Sequence, residues 1–349
     1  MRPALVVGQG VCGTVISSLL FQKNIPFKVI DPGESNASKN AAGIINPLVF
    51  KRLTYSWGAQ SFIPSALQYY KEMELLMNKK LLHWDGLIKL VNTEDEVSMW
   101  DKKQKQGQLP DVQSTYENPF SNTTICHSII TKRIKNAGWV DAQLFLQCWR
   151  EFLHSKDLLI YEPLLYDSLK KQPNEEWKYK GRDYSAIYFC EGWAATKNPW
   201  FNALPWIPTW GDLLLIKPKT NLSSTEIIYK NGFLCPTPKS GTFLAGSSYI
   251  WNLSPEETKK GVEQVKEKIK NIIGPNFETL EHRFGIRPAV TDRRPIIGLH
   301  PEHKNMYIFN GMGTRGFLLA PALGMLLINK TPTPEETSIK RFSSLLSKS

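Results

Sequence analysis

The sequence of 349 residues contains few cysteines and histidines and no long apolar run. Its five cysteines form no CxxC pair and have no histidine partners at metal-ligand spacing. They are Cys12, Cys126, Cys148, Cys190 and Cys235. The longest apolar stretch, residues 316–328, is interrupted by Pro321 and Gly324 and is shorter than the roughly 20 residues that cross a bilayer. The sequence therefore predicts no disulfide framework, no metal site and no transmembrane segment.

A signal peptide is not apparent either. Met1-Arg2-Pro3 leads directly into a strand pattern, without the charged, apolar and small-residue zones of a secretory leader. We therefore expect a cytoplasmic protein. No repeat or low-complexity tract appears, and a chain of this length with 42% hydrophobic residues suits two compact domains.

The formal net charge of +11 has several interpretations. It fits a polyanionic partner such as RNA, an acidic substrate, or a surface that is simply rich in lysine. The basic residues occur in small groups, which favours solvated faces. These groups lie at residues 79–80, 102–105, 132–135 and 259–270.

The N-terminus reads as a βαβ unit, with a strand at 4–7, a helix at 11–22 and a strand at 27–31. Further strands at 185–190 and 306–309 run into glycine-containing turns. Short alternating segments between them predict an antiparallel sheet, at 81–91, 213–217, 232–234 and 243–247. Helical patterns lie at 61–77, 141–153 and 255–273.

The turn between the first strand and helix has the spacing of a dinucleotide-binding loop. Gly8 permits the tight turn, Gly10 lets the backbone approach a pyrophosphate, and Gly13 lets helix and strand pack closely. The pyrophosphate then lies on the helix N-terminus, where Val11 and Cys12 begin the helix and unpaired N–H groups favour an anion. Asp31 ends the next strand, where a carboxylate accepts the ribose hydroxyls and disfavours the 2′-phosphate of NADP.

Several motifs together resemble the D-amino-acid oxidase superfamily of flavoproteins. The resemblance covers essentially the whole chain and is strongest for the branch of glycine oxidase, sarcosine oxidase and the flavin domain of the tRNA wobble-uridine modification protein. Beyond the first turn it rests on residues 38–44 (SKNAAGI), 190–193 (CEGW), 285–288 (GIRP), 311–317 (GMGTRGF) and 320–321, with Asp292, Pro295 and Gly298.

The resemblance implies FAD as cofactor. In this family the first of these segments lies along the flavin, which makes Ser38, Ala42 and Gly43 candidate contacts. Gly192 resembles a second nucleotide-contacting glycine, although Cys190-Glu191 replaces the usual small pair.

The C-terminal motif supplies further cofactor candidates. It leads into a helix whose N-terminus would stabilise negative charge on the reduced flavin near N1 and the C2 carbonyl. The candidates are Gly311, Gly313, Thr314, Arg315, Gly316 and Phe317.

For the substrate, the family uses the arginine that matches Arg287 to bind a carboxylate, a role that suits the guanidinium fork. Arg315 is a further candidate. Phe233 stands where glycine oxidases have a tyrosine, and Tyr249 could supply the missing hydroxyl. No evident partner marks any histidine for catalysis, including His83, His127, His282 and His300.

The activity that the resemblance implies is FAD-dependent oxidation of a CH–NH bond in an amino acid or N-substituted glycine. Hydride would pass from the α-carbon to flavin N5, the imine would hydrolyse, and oxygen would reoxidise the flavin. An alternative is oxidative removal of a carboxymethyl group from a wobble uridine in tRNA. A second alternative is a non-catalytic flavin-binding subunit of a larger oxidase.

The expected fold class is α/β. We expect a discontinuous Rossmann-like FAD-binding domain at 1–75, 137–203 and 285–349. An antiparallel-sheet substrate domain would occupy 76–136 and 204–284.

Overall fold

The computed structural model describes residues 2–34, 36–109, 111–115, 128–173, 175–220, 222–251 and 254–346. Cys126 and His127 lie outside these ranges. The chain divides into two compact units, each assembled from separate segments. The first unit comprises residues 1–39, 143–209 and 286–349, and the second comprises 40–142 and 210–285. Residues 40–75, which the sequence analysis assigns to the FAD-binding domain, belong to the second unit. That FAD binds in the first unit stays a prediction.

The α-helices begin and end as follows: α1 Val11–Gln22, α2 Ala59–Met77, α3 Glu94–Lys105, α4 Ala142–Ser155, α5 Pro255–Ile273, α6 Gly316–Ile328 and α7 Ser343–Leu346. The bounds of α1 and α5 match the sequence prediction. In α5 the reason is visible, because the Ser254 hydroxyl accepts the Glu257 N–H and caps the helix.

The strands are β1 Ala4–Val7, β2 Phe27–Ile30, β3 Ile44–Ile45, β4 Leu48–Val49, β5 Thr54–Tyr55, β6 Leu82–His83, β7 Leu87–Val91, β8 Val112–Thr115, β9 Ile130–Ile134, β10 Gly138–Val140, β11 Leu159–Ile160, β12 Leu169–Lys171, β13 Trp177–Tyr179, β14 Arg182–Tyr184, β15 Ala186–Phe189, β16 Thr209–Pro218, β17 Ile227–Tyr229, β18 Phe233–Pro236, β19 Phe243–Gly246, β20 Phe277–Arg287, β21 Ile296–Leu299 and β22 Met306–Asn310.

The first unit is built on a six-stranded sheet in the order β11-β2-β1-β15-β22-β21. Its first five strands are parallel, and β21 pairs antiparallel with β22 at the edge. Strands β1 and β15 are largely buried because apolar side chains such as Leu5 and Phe189 fill the core. This confirms the α/β fold class. In parallel sheets of this kind, ligands bind beyond the carboxyl ends of the strands.

The second unit contains an eight-stranded sheet in the order β20-β16-β19-β18-β17-β7-β9-β8. Neighbours from β16 to β17 and from β7 to β8 pair antiparallel. The pairing of β17 with β7 is parallel, so one parallel pair lies within a sheet whose other described pairings are antiparallel. Paired residues of β7 and β17, such as Leu87 and Ile227, are 140 positions apart in the chain, and only the folded sheet reveals the relative direction of the two strands. Apolar residues of α5, including Val265 and Ile269, pack on one face of this sheet.

Candidate functional site

The glycine turn joins β1 to α1 as the spacing predicts. Gly8 has a φ of +93°, which a side chain would strain, and a Cβ there would lie 2.7 Å from the Cys190 carbonyl oxygen. A Cβ on Gly13 would lie 1.7 Å from the Gly8 carbonyl oxygen. These two glycines therefore allow main chain to pack against main chain at the carboxyl ends of β1 and β15.

The N-terminus of α1 presents main-chain N–H groups at this turn. Its N-cap is Gly10, which has no side chain of its own to cap the helix. The Val11 N–H donates to the Ser38 hydroxyl at 3.1 Å, which places Ser38 beside the turn. Cys12 is buried, and desolvation raises the pKa of its thiol to about 12. The thiol is thus neutral at ordinary pH. Cys12 can therefore stabilise a bound anion only through its main-chain N–H.

A second helix N-terminus lies against the first. Helix α6 begins at Gly316, and a Cβ on that glycine would lie only 2.9 Å from Val11 Cγ1 in α1. Both helix dipoles are positive at this end, so their fields add where the two helices touch. Arg315, the N-cap of α6, brings a cation whose pKa is lowered by burial. The two helix N-termini would stabilise a bound anion, and a contribution from the Arg315 side chain stays a prediction.

Two other predicted motifs reach the same edge of the parallel sheet. The Asn310 side-chain amide at the end of β22 donates to the Gly192 carbonyl at 2.9 Å. The same side chain accepts the Gly311 N–H at 2.8 Å. Gly192 itself has a φ of +58° and open space where a Cβ would stand. The structure thus brings the turns after β15 and β22 together.

The remaining candidates in the C-terminal motif differ in exposure. Gly313 is partly exposed and Thr314 is exposed, whereas Phe317 is buried with its ring edge-to-face against Phe145. Phe317 therefore packs within the first unit. Contacts of these residues with the flavin remain predictions.

Glu191, which departs from the family pattern, has its own partners. Its carboxylate accepts the Tyr166 hydroxyl and the Asn198 side-chain amide, both at 2.7 Å. The residue keeps some exposed surface, but its carboxyl is enclosed, and desolvation raises its pKa from 4.5 to about 7. The two hydrogen bonds oppose this shift without cancelling it.

The raised pKa of Glu191 predicts how the free energy of unfolding depends on pH. The folded protein holds the Glu191 proton more tightly than the unfolded chain, so the stabilising contribution is complete below about pH 4.5 and is lost as pH rises through about 7. The loss corresponds to about 3 kcal/mol. We expect Glu191→Gln to remove this decline and to raise the free energy of unfolding above wild type at about pH 8.

Urea unfolding with saturating FAD at about pH 5 and about pH 8 measures both proteins. Glu162→Gln is the control, because the Glu162 carboxylate is stabilised by Lys180 and its pKa is lowered. Parallel pH profiles for wild type and Glu191→Gln would contradict the assignment.

The substrate candidate Arg287 is the last residue of β20 and is partly buried. The carbonyl of the next residue, Pro288, accepts the Gly313 N–H at 3.1 Å. This hydrogen bond fixes the main chain beside Arg287 to the turn that precedes α6. Sequence patterns alone do not reveal this proximity, because strands β21 and β22 separate the two motifs in the chain.

Ala42 and Gly43 belong to the second unit. Gly43 has a φ of +65°, its carbonyl accepts the Val140 N–H at 3.0 Å, and a Cβ there would lie 1.9 Å from the Val140 carbonyl oxygen. Ala42 is buried, and its carbonyl accepts a weak hydrogen bond from the Cys235 thiol. The absence of a side chain at Gly43 is thus needed for packing against β10, and contact of Ala42 and Gly43 with flavin remains a prediction.

Phe233 and Tyr249 also lie in the second unit. Phe233 pairs with Gly246 in the sheet and packs on the buried cluster that includes Leu213. Tyr249 is 41% exposed and forms an edge-to-face pair with Trp251, which is 46% exposed, at a centroid distance of 5.0 Å. We call these two rings the Tyr249–Trp251 pair.

One histidine has a partner that sequence analysis missed. The His282 ring nitrogen Nε2 lies 2.8 Å from the carboxylate of buried Asp212, which also accepts the Ser248 hydroxyl and the Trp210 indole N–H. The statement that His282 has no evident partner was therefore wrong, because the partners are 70 residues apart. Asp212 is satisfied by three donors, which accounts for a buried carboxylate.

His83 and His300 have packing roles. His83 stacks on Trp139 at a centroid distance of 3.9 Å. His300 accepts the Glu302 N–H at Nδ1, and burial lowers its pKa to about 4. His300 is therefore neutral at ordinary pH.

Asp31 lies next to the glycine turn. Its Oδ2 accepts the Gln9 N–H and its Oδ1 accepts the Gly33 N–H, both at 2.8 Å. The Arg150 guanidinium donates to Oδ1 at 2.7 Å. That this carboxylate binds a ribose stays a prediction, and it has an arginine partner that sequence analysis did not identify.

These features define a dinucleotide-binding α/β unit suited to a flavin adenine dinucleotide. The N-terminus of α1 fits a doubly charged pyrophosphate, the adjoining N-terminus of α6 fits further negative charge on the cofactor, and an acid directly follows β2, where a ribose-binding acid is expected. Among the described residues, no cluster of three or more His, Cys, Asp or Glu side chains could hold a metal ion. Within the same ranges, no helix has the length and apolarity to cross a membrane.

Comparison with known proteins agrees with this class. The sequence model of the family described as "FAD dependent oxidoreductase" matches residues 4–330. The chain belongs to this family, which is that of D-amino-acid oxidase, and it is an oxidoreductase whose cofactor is FAD.

A curated relative is the tRNA 5-methylaminomethyl-2-thiouridine biosynthesis bifunctional protein MnmC of Idiomarina loihiensis. It is 21% identical, and the match covers 93% of this chain and 55% of the relative. The chain therefore spans about half the length of that relative.

Two solved structures share the fold. Glycine oxidase from Geobacillus kaustophilus superposes with a TM-score of 0.79 at 18% identity, covering 97% of this chain and 98% of the oxidase. Iminodiacetate oxidase from Chelativorans sp. BNC1 has a TM-score of 0.77 at 16% identity, covering 96% and 98%.

Proposed function

We propose that this protein oxidises the CH–NH bond of an amine that carries a carboxylate, such as an amino acid or an N-substituted glycine. The observation that carries this proposal is the position of Arg287. Its neighbour Pro288 is hydrogen-bonded to Gly313 in the turn that leads into α6. A guanidinium fork beside this turn can bind a carboxylate with two parallel charge-assisted hydrogen bonds.

The protein's part in the reaction is positioning and electrostatics. When bound, FAD supplies the two-electron redox chemistry, with N5 as the proposed hydride acceptor. Arg287 would hold the substrate by its carboxylate, so that the α-carbon is presented in one orientation. The helix N-termini of α1 and α6 would stabilise negative charge. The substrate would lose a hydride from carbon and a proton from nitrogen, and water would hydrolyse the imine.

The names of the structural neighbours support this class of substrate, because glycine and iminodiacetate are both carboxylate-bearing amines. Anaerobic titration of the purified flavoprotein tests the proposal. We expect sarcosine, glycine, iminodiacetate or a D-amino acid to bleach the visible absorbance of the oxidised flavin, with an oxo acid as product. Absence of bleaching by all of them would contradict a small-molecule substrate.

A second candidate substrate is the same chemical group on a tRNA wobble uridine. A carboxymethylamino side chain would be oxidised and hydrolysed to a primary amine and glyoxylate. The sequence similarity to the tRNA-modifying relative extends over 93% of this chain. The exposed Tyr249–Trp251 pair favours this candidate, because nucleobases stack on aromatic rings of single-strand-binding proteins.

The positive charge is less specific support. In α5, three of the lysines form ion pairs with glutamates three residues earlier, at Lys260, Lys266 and Lys270. That segment is therefore a mixed-charge solvated face and not a strongly basic one.

We expect Trp251→Ala to weaken binding of an anticodon stem-loop RNA by about tenfold, because one aromatic platform for a base is lost. Binding is measured by fluorescence anisotropy, and sarcosine turnover is measured on the same protein. RNA affinity should fall while flavin content stays normal.

Phe284→Ala is the matched control. Phe284 is 49% exposed and stacks on Trp210, whose main chain pairs with Ile250 between the two rings of the pair. Phe284 is thus an exposed aromatic ring whose stacking partner lies outside the Tyr249–Trp251 pair. Equal weakening by both variants would contradict a specific role for Tyr249 and Trp251. RNA that bleaches the flavin when sarcosine does not would favour the tRNA substrate.

A further inference from the structure

We propose that Arg150 is a cofactor-positioning residue that recognises the adenosine end of FAD together with Asp31. This inference rests on Asp31 being the ribose-binding acid. Arg150 lies on α4, 119 residues from Asp31 in sequence, and belongs to no motif of the glycine turn. This role of Arg150 does not depend on which amine the protein oxidises.

The guanidinium is held by several polar contacts. Its Nη1 donates to Asp31 Oδ1 at 2.7 Å and to Gln9 Oε1 at 3.1 Å, and its Nη2 lies 3.3 Å from the Asp31 carbonyl oxygen. The Tyr161 ring covers the guanidinium, with 4.9 Å between the ring centroid and the guanidinium carbon. The Arg150 side chain retains 23% of its surface and Asp31 retains 12%. The pair is therefore partly shielded but accessible to a ligand.

The acceptor capacity of Asp31 shows why the arginine matters. A carboxylate has about four acceptor positions. Oδ1 accepts the Gly33 N–H and Arg150, while Oδ2 accepts only the Gln9 N–H among the described residues. Oδ2 thus keeps one position for a ribose hydroxyl. Arg150 fixes Oδ1 and so directs Oδ2 to the ligand, and its own remaining N–H groups can donate to a hydroxyl or ring nitrogen.

Electrostatics gives a second reason. Because Asp31 Oδ2 accepts the N–H of Gln9 inside the glycine turn, the carboxylate lies next to the place where a doubly charged pyrophosphate would bind. The negative charges of the Asp31 carboxylate and the pyrophosphate repel each other when the two groups are neighbours. The Arg150 cation offsets the Asp31 charge, so that the acid can bind the ribose without expelling the phosphates.

The absence of a side chain at Gly33 leaves room for the Arg150 guanidinium beside Asp31. Gly33 has a φ of +80°, and a Cβ there would lie 2.8 Å from Arg150 Nη2 and 2.5 Å from the Tyr161 hydroxyl. A larger residue at position 33 would displace both side chains. The glycine therefore supports the geometry of Arg150 at the ribose end.

The test uses apoprotein prepared from the full chain and three probes: FAD, ADP and FMN. ADP contains the adenosine end, whereas FMN lacks it. We expect Arg150→Ala to weaken FAD and ADP by about ten- to a hundredfold and to leave FMN affinity unchanged. Arg150→Lys should recover part of the loss, because it keeps the charge without the fork.

Lys28→Ala is the control for loss of one positive charge, since Lys28 lies on β2 but pairs with Asp157. It should leave all three affinities unchanged. Arg150→Met keeps most of the packing against Tyr161, so it serves as a second variant if Arg150→Ala fails to fold. Thermal unfolding verifies that each variant is folded. Equal loss of ADP and FMN binding in a folded variant would show that Arg150 only supports the turn. Unchanged FAD and ADP affinity would equally overturn the proposal.

Discussion

Gly10→Val is expected to give a folded protein that retains no FAD. A Cβ at position 10 would lie 3.1 Å from the Ser38 hydroxyl and 3.9 Å from Asn36 Oδ1, so it can be accommodated with small shifts. The two further methyl groups of valine would project over the N-terminus of α1, where the pyrophosphate must approach the main chain. We expect FAD affinity to fall at least a thousandfold, or about 4 kcal/mol.

The choice of Gly10 separates binding from folding. A side chain on Gly13 would lie 1.7 Å from the Gly8 carbonyl oxygen, so substitution there would disrupt the packing of α1 on β1. Gly10→Ala is the graded control and should retain part of the FAD. The flavin-to-protein absorbance ratio measures occupancy, and circular dichroism verifies the fold. Stoichiometric FAD in the valine variant would exclude this turn as the pyrophosphate site.

Sequence alone predicted the β1-α1-β2 unit well because its signals are local. The bounds of β1 and α1 follow from a short apolar run, a glycine turn and an apolar helix face. Helix α5 was equally clear, since its cap and first turn are adjacent in the chain. The family motifs also predicted the turns after β15 and β22, and the fold places both turns at one edge of the parallel sheet.

Partnerships between distant residues could not be predicted in this way. Arg150 meets Asp31, and His282 meets Asp212, only because the folded chain brings separate segments together. No periodicity or spacing encodes such a pair. The parallel pairing of β17 with β7 was missed for the same reason. Local patterns predicted the glycine turn, whereas Arg150, the partner of Asp31 beside it, was revealed only by the folded chain.

Arg287→Ala is expected to leave FAD bound and to raise the concentration of carboxylate substrate needed for flavin reduction by about a hundredfold. The lost interaction is a bidentate, charge-assisted one, for which about 3 kcal/mol is a reasonable magnitude. Arg287→Lys should recover only part of it, because an ammonium cannot present two parallel donors. Anaerobic titration with sarcosine or glycine measures the effect in each variant.

Arg293→Ala is the matched control, because Arg293 is an exposed arginine six residues farther along and should not change the titration. A neutral analogue gives the decisive comparison. Sarcosinamide lacks the carboxylate, so wild type should discriminate strongly between sarcosine and its amide, and Arg287→Ala should not. Retention of that discrimination in Arg287→Ala would mean that another cation binds the carboxylate. Arg315, at the N-cap of α6, would then be the residue to test next.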